Sequence, residues 1–428
     1  MSRARGFAAL ALLPIIVAGG ARCAEDCVED AARRLADAAY AAQAAAQFEE
    51  AAALLSRAVD CARNEDLRAR LARDLGYSLV RLGRQGAAVD AFAIAVQLQP
   101  DAQTWRALGY AARADGNLAR SVEAFEAAHA LDPDDPATLR ELGYLYKRLG
   151  QRHRAARAFR AAIRAADTAG EVAPERRPLL RREVRALENR IDGGIAILWR
   201  RDGPPDAPLS VGDRVLSQSQ GLADIEGRMP WPRSGAGRGL AVFGRFIWAL
   251  DGDRPTPRDE SLQAGIGLKL KPLAGETFVL GVERLIAVGA FARNDWLLRA
   301  SWSRGDGFEA PVGRRRWLFW SLYGDLALID PADPDLQVNA EARLGGGMML
   351  GPVHLRPHLQ LSTLLVDDAG GTTSLLEGGP ALAIRLAFGG DRYRADPRAL
   401  GLTLAYRARL AGNARNRNGF LLSLGIRF

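Results

Sequence analysis

The spacing of apolar residues changes once along this chain, close to Gly193. Ahead of that point apolar residues follow a helical period; behind it they fall on every second residue, the period of a strand. Leu262, Ala264, Ile266, Leu268 and Leu270 alternate with Gln263, Gly265, Gly267 and Lys269. Leu336, Val338, Ala340, Ala342 and Leu344 alternate with Gln337, Asn339, Glu341 and Arg343. Leu400, Leu402, Leu404, Tyr406 and Leu410 oppose Gly401, Thr403, Ala405, Arg407 and Arg409. About a dozen such segments follow one another: 193–200, 213–228, 238–250, 260–271, 277–287, 295–304, 316–329, 335–345, 353–364, 380–389, 399–410 and 418–428.

A soluble sandwich turns its polar face to water. An outer-membrane barrel inverts this, with apolar side chains toward lipid and polar ones toward a lumen. A slip of one residue would turn Arg407 and Arg409 to lipid at roughly 2–4 kcal/mol each near the midplane, so the pattern fixes its own register. The final stretch, "GFLLSLGIRF", puts Phe420, Leu422, Leu424, Ile426 and Phe428 on one face. It predicts a strand that pairs with the first and closes the barrel. It also resembles the signal by which bacterial outer-membrane proteins are recognised, which implies outer-membrane lipid and the barrel-insertion machinery as partners.

The first half repeats itself. "LGYSLVRLGRQGAAVDAFAIAVQLQP", "LGYAARADGNLARSVEAFEAAHALDP" and "LGYLYKRLGQRHRAARAFRAAIRAAD" place Gly76, Gly109 and Gly143 at steps of 33 and 34 residues. Gly83, Gly116 and Gly150 keep those steps, as do Phe92, Phe125 and Phe159. This resembles the tetratricopeptide repeat, paired antiparallel helices that bury their apolar faces against neighbouring units. A degenerate first unit is expected near 27–64, and a capping helix with a linker at 170–192, ending in Asp-Gly-Gly. The fold class is therefore α+β in separate domains: a repeat solenoid at 24–169, then an antiparallel transmembrane β-barrel of about 12 strands at 193–428. Arg73 with Tyr77, Arg106 with Tyr110, and Arg140 with Tyr144 sit at i, i+4 on first helices. As positions that line the concave groove of that fold, they offer forked donors and phenol platforms for an acidic peptide or a sugar chain; the alternative is that they cover helix surface without a ligand.

The opening "MSRARGFAALALLPIIVAGGARCAEDC" reads as a signal peptide over about 1–23, with Arg3 and Arg5 ahead of an apolar run. Beyond it no unbroken apolar run of about 18 residues offers a transmembrane helix. Export makes a Cys27–Cys61 disulfide permissible, and antiparallel helices would bring both sulfurs to one end of a hairpin. The formal charge is +8, carried almost wholly by Arg, since Lys occurs at 147, 269 and 271 only. Such an Arg bias also arises from genome composition; for an exported chain it points away from nucleic acid and leaves anionic glycans or lipid head groups open as partners.

On the expected lumen face stand Arg245, Lys269, Arg299, Arg343, Arg356, Arg385, Arg407, Arg409 and Arg427 against Glu283, Asp325 and Glu341. The interior is expected to be cationic and to favour anionic solutes, unless these charges pair with one another or with plugging loops. His354 and His358 would share a metal on a helix, but on a strand they stand about 13 Å apart. Metal and other cofactors are not expected. "GAGRG" (235–239) and "GGG" (345–347) have no following helix to hold phosphate and read as turns or bulges. No Ser-His-Asp spacing points to an enzyme. "GDGF" (305–308) and "DRYR" (391–394) fall at strand ends, as turn geometry or lumen salt bridges.

"VERLIAVGAFARNDWLLRASWSRGDGF" (282–308), "SLYGDLALID" (321–330) and "DRYRADPRALGLTLAYRARLAG" (391–412) are similar to the C-terminal domain of the bacteriophage-adsorption protein A family, NfrA. The resemblance spans about 193–428. It implies an outer-membrane protein with its repeats in the periplasm, serving an exopolysaccharide-secretion system that includes an inner-membrane glycosyltransferase. The barrel would be the polymer's exit path; the alternative is a non-conducting phage-type receptor or assembly scaffold.

Overall fold

The computed structural model describes residues 29–168, 176–201, 219–229, 239–251, 254–273, 275–414 and 417–428. The expected signal segment and Cys27 lie outside them; Cys61 is disulfide-bonded. The described residues form α1 (Glu29–Ala44), α2 (Phe48–Cys61), α3 (Glu65–Arg81), α4 (Gln85–Leu98), α5 (Ala102–Ala114), α6 (Leu118–Leu131), α7 (Pro136–Arg148), α8 (Arg152–Thr168) and α9 (Arg176–Glu188). Two compact units divide the chain, one ending at Pro133 and one running from Asp134 to Phe428. The last repeat hairpin, α7 and α8, falls in the second of these units.

The repeated "LGY" has a packing cause. A Cβ on Gly76, Gly109 or Gly143 would come within 2.6, 2.7 or 2.5 Å of the ring of Phe92, Phe125 or Phe159. Only a residue without a side chain lets that ring lie flush on the partner helix, and the three Phe are fully buried. The following Tyr then meets the ring edge-on, with centroids 5.1, 5.0 and 4.9 Å apart for Tyr77, Tyr110 and Tyr144. The second glycine column, Gly83, Gly116 and Gly150, takes φ of +72°, +86° and +74°, the left-handed turn that ends a helix. Asn64, Asp101, Asn117 and Asp135 cap the helices that follow them.

The twelve strands are β1 (Ile191–Arg200), β2 (Gln220–Met229), β3 (Gly239–Ala249), β4 (Gln263–Lys271), β5 (Thr277–Ala287) and β6 (Asp295–Asp306), then β7 (Arg316–Ile329), β8 (Asp335–Leu350), β9 (Val353–Asp368), β10 (Gly371–Phe388), β11 (Arg398–Gly412) and β12 (Gly419–Arg427). Each pairs antiparallel with its neighbours, and β12 returns to β1 to close the barrel. Side chains sort by parity as the alternation requires. On β7, Trp317, Phe319, Ser321, Tyr323 and Asp325 are buried, whereas Leu318, Trp320, Leu322 and Leu326 point outward, Leu318 with 83% of its surface exposed. The exterior of β12 is Phe420, Leu422, Leu424, Ile426 and Phe428. An exterior of this kind is built for lipid.

Two glycine-rich stretches lie inside strands. "GGG" at 345–347 belongs to β8: a Cβ on Gly345 would meet His358 Cβ at 2.5 Å, and one on Gly347 the Trp317 indole at 2.2 Å. β10 begins at Gly371 rather than near 380 and carries a register shift at Leu376/Glu377. There a Cβ on Gly379 would lie 2.1 Å from the Tyr406 carbonyl oxygen. These glycines admit a neighbour's bulk without ending the ladder. "GAGRG" (235–239) falls largely outside the described residues, with Gly239 opening β3.

Candidate functional site

The lumen is the place where polar chemistry concentrates. Its end nearest α9, where β1 begins and β12 ends, is called proximal below. Arg245 Nε donates to Glu283 Oε1 at 2.7 Å, and Arg299 Nε to Asp325 Oδ1 at 2.6 Å. Arg343 pairs with Glu341 at 2.9 Å. Arg407 donates to Ser362 Oγ at 2.5 Å and, when the Gln360 amide oxygen is turned toward it, to Gln360 at 3.0 Å. Toward the proximal end Lys269 meets Glu226 at 3.1 Å and Arg427 meets Asp224 at 3.0 Å. Arg356 donates to the Phe308 carbonyl at 3.1 Å, and Arg385 is half-buried on β10. Arg409 is exposed near the far end and donates to the Gly412 carbonyl.

The expectation of a cationic interior is therefore corrected toward charge pairing. Four partners escaped the sequence reading: Arg200, Asp224, Glu226 and Glu377. Arg200 Nη1 lies 2.6 Å from Glu377 Oε1, with side chains 2% and 0% exposed, and Arg200 also reaches the Arg417 carbonyl. Asp224 and Glu226 were findable, because they alternate with Ala223 and Ile225 on β2. Glu377 was hidden by the Gly-Gly-Pro that follows it.

Apolar groups join the charges in filling this interior. At the distal end Leu285, Leu297, Ala327 and Ile329 form one buried cluster, and Leu364, Val366 and Leu375 another. Eight strands enclose only side chains, while sixteen or more leave an aqueous channel. At twelve, side-chain choice decides. Here lumen side chains from Arg200 through Asn339 to Arg407 are almost wholly withdrawn from solvent, which a water-filled bore does not allow. Among the described residues a cavity of about 400 Å³ opens toward the proximal end, between Asp224, Glu226, Phe243, Lys269, Thr277 and Arg427. His354 packs edge-on against Trp317 and His358 against Phe319. Among the described residues no group of His, Cys, Asp and Glu is arranged to hold a metal ion.

At the proximal mouth α9 is fastened to two strand connections. Arg182 Nη2 donates to the Ala310 carbonyl at 2.8 Å, and Arg185 donates to Glu309 at 3.0 Å and the Asp396 carbonyl at 2.9 Å. The Arg181 side chain donates to the Arg394 carbonyl at 3.0 Å, and the Arg181 backbone carbonyl accepts from Ala395 N at 3.1 Å. These connections, β6–β7 and β10–β11, carry the second half of "GDGF", whose Gly305 and Asp306 end β6, and all of "DRYR". Gly307 has φ +71° and its carbonyl accepts from the Trp317 indole at 2.7 Å. Asp391 Oδ1 accepts from the backbone N–H of Tyr393 and of Arg394, both at 2.7 Å, and those bonds hold its carboxyl below the usual carboxylate range. Arg392 binds Asp167 of α8 at 2.6 Å, which raises the guanidinium further. Both motifs are turn geometry.

The Arg–Tyr pairs lie in two units: Arg73–Tyr77 and Arg106–Tyr110 in the first, Arg140–Tyr144 in the second. Tyr77 and Tyr110 keep 38% and 37% of their surface exposed while covering their Phe. Burial, then Glu183, raises the Tyr144 phenol. Arg73 stands 3.8 Å from Asp74 and Arg140 3.7 Å from Glu141. The tyrosines therefore serve the repeat core, with one edge left over.

Family models match both halves of this layout. Residues 253–423 match the family model described as Bacteriophage N adsorption protein A C-term. Residues 102–145 and 141–168 match two tetratricopeptide-repeat models. The chain is 28% identical over 373 residues to Bacteriophage adsorption protein A of Escherichia coli (strain K12), which takes in 79% of this chain and 36% of that relative. The chain therefore spans about 36% of the relative's length. Among solved structures it is similar to the crystal structure of MamA, with 16% identity, TM-score 0.32, and coverage of 37% of this chain and 82% of that one. It is also similar to YrrB, a repeat protein, with 15% identity, TM-score 0.31, and coverage of 36% and 75%.

Proposed function

We propose that this chain, which carries the NfrA C-terminal domain behind tetratricopeptide repeats, is an outer-membrane anchor and scaffold whose barrel does not conduct. The observation that carries this reading is the filling of the distal lumen: the buried Arg200–Glu377 pair and two inward apolar clusters, one on β5–β7 and one on β9–β10, occupy that end. The barrel fixes α9, and with it the last repeat hairpin, at the inner face of the membrane, while the distal connections face outside. One of them presents Phe291, 72% exposed, in the β5–β6 turn. The repeats stand in the periplasm and recruit an exopolysaccharide or the inner-membrane glycosyltransferase that makes it.

A conducting exit path is the second reading, favoured by the open proximal cavity lined by both signs of charge. The test combines planar-bilayer recordings of the purified chain with secreted-polymer assays of two deletions, one removing the chain and one removing α1–α6 only. The scaffold reading expects silent bilayers, and polymer loss in both deletions. Steady channels, or normal secretion without the repeats, would sink it.

A further inference from the structure

Between α8 and the end of α9 lies a cavity of about 550 Å³ lined by Arg152, His153, Arg157, Arg160, Glu188 and Arg190. Its one carboxylate is already engaged, since Glu188 accepts from Arg160 at 2.8 Å. Arg152 donates to the last carbonyls of α9, at 2.8 Å to Leu187 and 3.2 Å to Ala186. Arg190 Nη2 lies 3.1 Å from His153 Nε2. The cations crowd each other: burial lowers the Arg152 guanidinium, and Arg228 and Arg190 lower it further. Arg152, Arg157 and Arg160 follow one another along α8, spreading charge over about 12 Å of helix at ~1.5 Å per residue.

We propose that this cleft binds a stretch of acidic polysaccharide through the carboxylate or phosphate groups on successive sugars. This deepens the glycan reading above and rests on it. Length argues for a chain bearing several anions rather than one small ion. Chemistry argues for a glycan over an acidic peptide. The lining is mostly donors, and its carboxylate and the Ala186 and Leu187 carbonyls already accept from Arg160 and Arg152, so backbone N–H groups of a peptide would compete with guanidinium for the few acceptors present. Sugar hydroxyls turn to accept, and guanidinium forks suit carboxylate and phosphate alike.

The test is fluorescence polarisation of the full chain in detergent with a labelled galacturonate hexamer. Binding is expected, weakening as salt rises. It should fall about tenfold in Arg157→Glu and in Arg190→Glu, a loss equivalent to one charge-assisted contact. Arg157→Lys should keep most of the affinity, and heat-dependent gel migration should report a folded barrel in every variant. Four results would overturn the proposal: no binding by the parent, equal binding of a neutral hexasaccharide, equal binding of a glutamate hexapeptide, or unchanged binding by both reversals. Displacement by inorganic phosphate at matched charge would also overturn it, by reducing the cleft to a simple ion site. Bilayer conductance and secretion are read separately, so a silent barrel with no galacturonate binding removes this inference and leaves the scaffold.

Discussion

Gly193 and Phe428 exchange both backbone hydrogen bonds, at 3.1 Å from Gly193 N and 2.9 Å from Phe428 N. The pairing runs on from Gly194↔Arg427 to Arg200↔Leu421, so a strand alternating to its last aromatic is the seam of the barrel. A Cβ at Gly194 would lie 2.6 Å from the Ile426 carbonyl oxygen, which a paired backbone cannot move away. Gly194→Val is expected to cost about 1–3 kcal/mol and to lower the temperature at which the heat-dependent gel shift occurs. Gly401→Ala, where the nearest atom is 3.9 Å away, should leave that temperature unchanged.

Arg245 and Glu283 are buried together in the lumen wall. Removing one partner strands a charge away from water, at about 3–5 kcal/mol, whereas apolar replacement of both is often neutral. Urea unfolding in detergent should show a large loss for Arg245→Ala and near-parent stability for the Arg245→Met, Glu283→Leu double variant. Equal losses in the two would mean that packing volume, rather than the unpaired charge, sets the cost.

The seam and the two faces of each strand were legible because parity is a local property: Leu404 and Arg407 cannot share a side. Who meets whom across the lumen was not. Arg200 and Glu377 are 177 residues apart, and Glu377 sits beside Gly378, Gly379 and Pro380, residues that usually end strands. Only the close approach of the Tyr406 carbonyl explains why glycine stands there within β10. Likewise, the Arg–Tyr spacing on the repeats was visible, but the sequence did not reveal that each Tyr covers a Phe that its preceding Gly admits.

Leu322 lies outward on β7, flanked by inward Ser321 and Tyr323. Leu322→Arg should destabilise the barrel by roughly 2–4 kcal/mol if this position is near the bilayer midplane. Refolding into vesicles with a denaturant titration measures it, and no loss would contradict a lipid-facing exterior.

In the first unit, Gly109→Val would push a side chain into the Phe125 ring. A loss of about 1–3 kcal/mol is expected from overpacking. Tyr110→Leu keeps apolar cover over the Phe125 ring and forfeits chiefly an edge-to-face pair worth about 0.5–1.5 kcal/mol. Circular dichroism of urea-induced unfolding should rank Gly109→Val as the more harmful. The reverse order would mean that the tyrosine, not the glycine, organises the hairpin.

Asp391 sets the acid limit of the α9 attachment. Two backbone N–H bonds hold its folded carboxyl below the ordinary value of 3.8. A depressed acid stabilises the fold above its unfolded value and loses that contribution as pH falls through the folded one. The turn carrying the Arg394 carbonyl, which accepts from Arg181, should thus be indifferent to pH from neutrality down to the carboxylate range and loosen below it. Hydrogen exchange over 391–397, corrected for intrinsic rates, should show protection lost on that acid side. Asp391→Asn keeps an accepting side-chain oxygen but no titrating group, so its protection should be lower at neutral pH and flat on acidification. An unchanged acid transition in that variant would move the origin to Asp167, which holds Arg392, or to Asp396, which accepts from Gly390 N.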